Sequence, residues 1–231
     1  MIHITIAAKL IETYLKLTNS AIKTAVLDAG HVDAAARLLS VEFCQREPLC
    51  KLLGTTVADV EAYFVALVQH VSRQGLGVVA LDADGVVRGV LSVEDHADPF
   101  VPPELTLHQD LLDIGTFLDQ IPLPPDVPTQ VRGRLYQCTL AATDRSFRNP
   151  KILPMMILAL YRYSTALGYT HGYAKVTNKA ISMVLLKIEK LARFKIFRLV
   201  SSVRPADFES DGRRPFADYQ GVTSLFTWHL A

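Results

Sequence analysis

The chain has 231 residues, 50% hydrophobic and 20% charged, with 24 basic against 23 acidic side chains. That near-neutral balance excludes a surface built mainly for a polyanion, so no nucleic-acid partner is expected, although Arg145, Arg148 and Lys151 make one local basic patch. Three cysteines, Cys44, Cys50 and Cys138, without CxxC spacing, exclude a disulfide framework and a structural zinc site.

Residues 1–20 are apolar without a decisive period and read as an N-terminal extension. They have no basic region followed by a long apolar core and cleavage site, so no signal peptide is expected. No apolar run in the chain approaches the roughly 18 residues that suggest a membrane span, and a cytoplasmic location with no membrane partner is expected. Ala21–Leu27 predicts a strand. Val32, Ala35, Leu39 and Phe43 recur at helical spacing, which predicts a helix over 31–43 that Glu47-Pro48-Leu49 interrupts.

A second helix starts near Thr56, where Thr56-Val-Ala-Asp59 approximates a capping box, and ends before Gly75. The turn Asp82-Ala-Asp84-Gly85 joins two strands, 77–81 and 86–93, into a hairpin. Residues 98–128 read as an insertion: a proline-broken loop, a helix through Leu105, His108, Leu111, Leu112, Gly115 and Leu118, then the stiff run Pro122–Pro128. Strand 134–143, a loop at 144–153 and a helix to Leu167 follow, with Pro154 in the first turn and Gly168 as the stop. The chain closes with strand 172–176, helix 179–193, strand 196–203 and strand 223–230.

Four segments carry a resemblance to the Gcn5-related N-acetyltransferase (GNAT) superfamily. Leu140-Ala-Ala-Thr-Asp-Arg-Ser-Phe-Arg148 before a helix resembles the end of the family's fourth strand and its cofactor loop. Val176-Thr-Asn178 before a helix containing Ser182 is similar to its fifth strand and fourth helix. Glu189-Lys-Leu-Ala-Arg-Phe194 resembles its Lys-Leu-Gly-Phe helix ending. Arg46-Glu47-Pro48-Leu49 with Phe216-Ala-Asp-Tyr219 resembles the arylalkylamine and dopamine N-acetyltransferase branch.

The resemblance covers residues 21–231 and implies one α/β domain of the α+β kind. Its sheet would be mixed and mostly antiparallel, flanked by helices, with a splayed parallel pair formed by the fourth and fifth strands. It implies acetyl-CoA or another acyl-CoA as co-substrate, with pantetheine in the gap between those strands, against the backbone of Ala142 and Thr143. The pyrophosphate would sit at the following helix start, over Arg148, Asn149, Lys151, Ile152 and Leu153, with Asn178 across the gap. The family's pattern places small residues where this chain has Lys151 and Leu153, and Pro150 and Pro154 have no N–H to offer an anion.

For chemistry, the resemblance makes Glu47 the base that accepts the amine proton and Ser182 part of a proton relay. Asn178 stands where the branch has a second serine. The tyrosine that many members use to protonate the leaving thiolate is missing from Met183-Val-Leu-Leu186, which leaves Tyr136, Tyr173 and Tyr219 as substitutes. Without the resemblance, Glu47 reads as a turn-capping glutamate, Ser182 or Asn178 as a helix cap, and Cys138 as a buried inert thiol. Glu94-Asp95-His96-Ala-Asp98 reads as loop polarity, with no metal expected. The expected function is transfer of an acyl group from acyl-CoA to a small-molecule amine. Two alternatives stand beside it: an acyltransferase fed by an acyl carrier protein, and a binding or regulatory domain that keeps the fold without turnover.

Overall fold

The strands are β1 (Lys23–Val26), β2 (Val78–Leu81), β3 (Val87–Asp95), β4 (Leu135–Thr143), β5 (His171–Val176), β6 (Phe197–Val203) and β7 (Thr223–His229). In the computed structural model they join into one sheet in the order β1-β2-β3-β4-β5-β7-β6. Every neighbouring pair is antiparallel except β4–β5, which is parallel. The helices are α1 (Val32–Arg46), α2 (Pro48–Leu53), α3 (Val57–Gln74), α4 (Gln109–Asp119), α5 (Ile152–Ala166) and α6 (Lys179–Ala192). The structure describes residues 22–103, 108–192 and 196–230. The N-terminal extension 1–20, Leu105 of the inserted helix and the Arg193–Phe194 end of the family-like motif lie outside the described residues.

Local chemistry explains most boundaries. The Asp59 carboxylate accepts the Thr56 amide at 2.8 Å, which closes the first turn of α3, and Gly75 ends the helix in the left-handed region. In the β2–β3 hairpin Asp82 Oδ1 accepts the amides of Asp84 and Val86, while Gly85 supplies the φ of 79° that the turn requires. The break at Glu47-Pro48 is followed at once by a short helix where the sequence suggested only an interruption. Glu47 is extended, Pro48 takes the first helical position, and the Glu47 side chain caps the new helix.

Helices cover both faces of the sheet. On one face α1 and α3 bury Leu39, Phe64 and Val71 against Val79 and Val90 of β2 and β3. On the same face, nearer β7, α2 and α4 pack Leu49, Ile114 and Phe117 with Tyr173 and Leu225. On the other face α5 supplies Ile152, Met155, Met156 and Leu160, packed with Leu91, Tyr136 and Trp228. The β4–α5–β5 crossover makes the parallel pair, because such a connection returns the chain to the sheet in the same direction.

Candidate functional site

The parallel pair parts midway. β4 and β5 stay in register from Leu135↔His171 to Cys138↔Ala174 and no further, although β4 runs on to Thr143 and β5 to Val176. The cause lies one residue on. Ser92 pairs with Leu140 and Val93 with Cys138, so Thr139 is an extra residue in β4 at a β-bulge. The Thr139 hydroxyl donates to Ser92 Oγ at 3.1 Å, which ties the bulge to β3.

The bulge also changes which peptide groups face the gap. Before it, Leu135 O accepts the His96 amide and Arg134 O accepts the His171 amide, so odd residues of β4 bond towards β3 and even ones towards β5. After it the Asp144 amide donates to Arg88 O at 2.8 Å, so Asp144, Ala142 and Leu140 bond towards β3. Ala141 and Thr143 therefore turn their N–H and C=O into the gap. Thr143 is placed as the family resemblance implied. Ala142 also lines the cleft, but its peptide groups pair with Val90, so the peptide that faces the gap beside Thr143 is that of Ala141. That difference could be seen only once the bulge was known.

A cleft of about 390 Å³ occupies the opening. Ala141, Thr143, Ala174 and Asn178 line it, and Glu47 stands on its wall from the α1–α2 junction. Glu47 is 8% exposed. Its Oε2 accepts the Cys50 amide at 2.6 Å, whereas Oε1 is buried without a hydrogen-bond partner among the described residues. Burial pushes the Glu47 carboxyl above the ordinary range, against the opposing pull of the Cys50 amide and of the Thr177 hydroxyl, which stands near the carboxylate without the geometry of a hydrogen bond. Two further contacts fix this corner. Asn178 Nδ2 donates to Arg46 O at 3.4 Å, and Tyr219 donates to Thr177 O at 3.1 Å.

The loop between β4 and α5 is pinned. Arg88 bridges Asp82 at 2.7 Å and Asp144 at 2.6 Å, and its guanidinium lies 5.0 Å from the centre of the Phe147 ring. Burial works against the charge on Asp144, but the Ser146 and Arg88 contacts outweigh it and hold the carboxyl below its usual range. Arg148 is left-handed with φ 42° and is exposed, as is Lys151. Asn149 and Leu153 line the cleft. Ile152 does not: it is wholly buried under β3, within 2.6 Å of where a Gly89 Cβ would stand, and serves the core.

Ser182 is the other departure from expectation. It is half-exposed on α6, which lines the cleft through Ala180, Ile181, Val184, Leu185 and Ile188 instead. A residue one step past Ile181 is turned about 100° away from it on a helix, which is why Ser182 misses the cleft. Of the three candidate tyrosines, Tyr136 lines the cleft but is buried, and the other two donate their hydroxyls elsewhere. Tyr136 accepts Trp228 Nε1 at 2.7 Å, Tyr173 donates to Gln137 at 2.6 Å, and Tyr219 holds Thr177. Cys138 lines the cleft, and burial pushes its thiol up, away from the reactive thiolate. Asp95 and His96 spend their side chains on Gly133, Tyr169 and Tyr173, and Glu94 on the Phe100 amide. Among the described residues no group of three or more His, Cys, Asp or Glu is placed to hold a metal ion.

Sequence reasoning missed Lys175. It lines the cleft from β5, and its side chain is only 9% exposed, 3.9 Å from Asp119 of α4. Burial pulls its pKa down, against the attraction of Asp119. Its alternation with buried Tyr173 was the available signal for that inward-facing position.

A seven-stranded, mostly antiparallel sheet with one parted parallel pair and helices on both faces is the GNAT acyl-CoA N-acyltransferase fold. Solved structures of that fold match this chain along most of its length. The C-terminal condensation domain of Ebony in complex with β-alanyl-dopamine superposes with a TM-score of 0.74 at 15% identity, covering 90% of this chain and 98% of that one. Mosquito arylalkylamine N-acetyltransferase-like 5b gives 0.69 at 17% identity, covering 90% and 99%. The Drosophila melanogaster polyamine N-acetyltransferase, which forms N-acetylagmatine, gives 0.67 at 15%, also covering 90% and 99%. No protein-family model and no curated protein matches the sequence. The resemblance read from the sequence thus holds at the level of the fold, with arylalkylamine N-acetyltransferases among the structural neighbours.

Proposed function

We propose that this chain transfers an acyl group from a pantetheine thioester to a small-molecule amine. The observation that carries the reading is Glu47 Oε1, a buried carboxylate oxygen without a partner on the wall of a cleft opened by a parted strand pair. The solved neighbours named for N-acetylation of amines add the prior for this fold.

The pantetheine arm lies in the gap, where the peptide groups of Ala141 and Thr143 meet its amides. The thioester carbonyl stands by the bulge, and a gap-facing N–H there stabilises the developing oxyanion. The neutral amine attacks the carbonyl carbon, the N–C bond forms, and the nitrogen becomes positively charged. Glu47 accepts its proton as the tetrahedral intermediate collapses, the C–S bond breaks, and the arm leaves as a thiolate. Burial suits Glu47 to this, because a carboxyl with a raised pKa is a stronger base than an exposed one. With Tyr173 and Tyr219 donating elsewhere and Tyr136 buried against Trp228, the thiolate leaves unprotonated and takes its proton from solvent.

Thiol release and amide formation from acetyl-CoA and acetyl-phosphopantetheine, across a panel of aryl and alkyl amines, test the reading. Amide product that depends on Glu47 supports it; donor bound in the cleft with no amide from any amine contradicts it and leaves a binding domain.

A further inference from the structure

We infer that the acyl donor reaches this site on the phosphopantetheine arm of a carrier protein, and that the nucleotide half of CoA is not recognised. The inference rests on the transfer reading above and names the partner that supplies its donor.

A nucleotide's pyrophosphate needs clustered, unengaged amides, and this loop has spent most of its own. The Asp144 amide donates to Arg88 O, Arg145 to Glu42 Oε1 at 3.2 Å, Ser146 to Asp144 Oδ1 at 2.8 Å and Phe147 to Asp144 O. Further on, Lys151 donates to Asn149 Oδ1 at 3.0 Å, Ile152 to Asn149 O and Met155 to Lys151 O. Pro150 and Pro154 have no N–H. At most the amides of Arg148, Asn149 and Leu153 are left for a ligand. Two carboxylates, Glu42 and Asp144, themselves paired with Arg46 and Arg88, take up the first amides of the loop in place of a ligand.

The arm itself is well provided for. Gap-facing peptides on β4 complement its two amides, and the cleft of about 390 Å³ lies within the range of small-ligand sites. The single phosphodiester joining an arm to its carrier carries one negative charge, which exposed Arg148 or Lys151 can meet without amides. Arg145 and Lys179 extend this exposed basic rim across the ends of both parted strands. The rim fits an acidic protein surface around the arm, and such complementarity speeds encounter.

Calorimetry on the whole chain with CoA, 4′-phosphopantetheine and adenosine 3′,5′-bisphosphate tests the nucleotide. The first two should bind within about threefold of each other and the bisphosphate should not compete; CoA tighter by about thirtyfold, or displacement by the bisphosphate, would overturn the inference. A set of acidic holo carrier domains, acetylated on their arms, tests the carrier. At least one should give kcat/KM about tenfold above acetyl-phosphopantetheine, and Arg145→Glu with Lys179→Glu should remove that gain while leaving the free arm within about twofold. No gain from any carrier, or a gain the charge reversal leaves intact, would overturn it. Arm binding without amide formation supports the inference and contradicts only the transfer reading.

Discussion

Glu47 accepts the Cys50 amide at 2.6 Å through Oε2 and keeps Oε1 buried without a hydrogen-bond partner among the described residues. One carboxylate thus caps α2 with one oxygen and keeps the other buried without a partner beside the cleft. The turn-capping reading and the catalytic reading of Glu47 describe the same side chain.

Burial favours the protonated Glu47, so its pKa is higher in the folded than in the unfolded chain. Its contribution to stability is complete below the unfolded carboxyl range and is lost as pH rises through the folded pKa. Glu47→Gln removes the ionisation while keeping an acceptor for Cys50. The melting temperature of the variant relative to the parent should therefore rise with pH, with little difference near pH 4. A difference that is flat across that span would mean that Glu47 is as well solvated folded as unfolded.

Gly172 marks the closest packing behind the parallel pair. A Cβ there would stand 2.5 Å from the Trp228 indole and 2.6 Å from the Tyr136 ring, the two groups joined by a 2.7 Å hydrogen bond. Gly172→Ala should cost about 1–3 kcal/mol, as overpacking of a filled core does. Denaturant unfolding with an unchanged m-value is the measurement, and a loss under about 0.5 kcal/mol would show that the pair can shift aside.

Arg148 and Lys151 are exposed on the loop before α5, just outside the cleft lining, and are the charges proposed for the donor's phosphate. Replacing both with Ala should weaken binding of 4′-phosphopantetheine about three- to tenfold at low salt, and less at high salt, because exposed charges are screened. Unchanged affinity would put the anion site elsewhere.

Tyr219 holds Thr177 O at 3.1 Å in the turn below Glu47. Tyr219→Phe should lower kcat/KM by up to about tenfold with the melting temperature nearly kept, the scale of one hydrogen bond. A loss confined to KM would instead mark the hydroxyl as an amine contact.

Much of the fold was legible because its elements carry strong local signals. The Thr56–Asp59 box, the Asp82–Gly85 turn and the stop at Gly168 set boundaries that the structure keeps to within a few residues. The place of β7 was not legible. It lies between β5 and β6, and is buried along nearly its whole length while β6 is largely exposed, a contrast that two neighbouring strand patterns express only weakly. The positions of Glu47 and Asn178 beside the cleft were readable because short motifs surround them. Ala141 was hidden by the Thr139 bulge, since one extra residue reverses which peptides face the gap. Ser182 and Ile152 were misplaced because motif spacing gives a position along a helix, whereas helix rotation decides which side chain meets the cleft.

The pH dependence of kcat/KM for the parent and for Glu47→Gln, measured with one thioester and one amine that turn over, bears most directly on the proton transfer. The parent should rise with pH along a limb displaced above the ordinary carboxyl range. The variant should bind the donor normally, lose about 10²–10⁴-fold in rate, and lack that limb. A variant with near-parental turnover and the same limb would contradict a catalytic Glu47 and reduce it to the cap of α2.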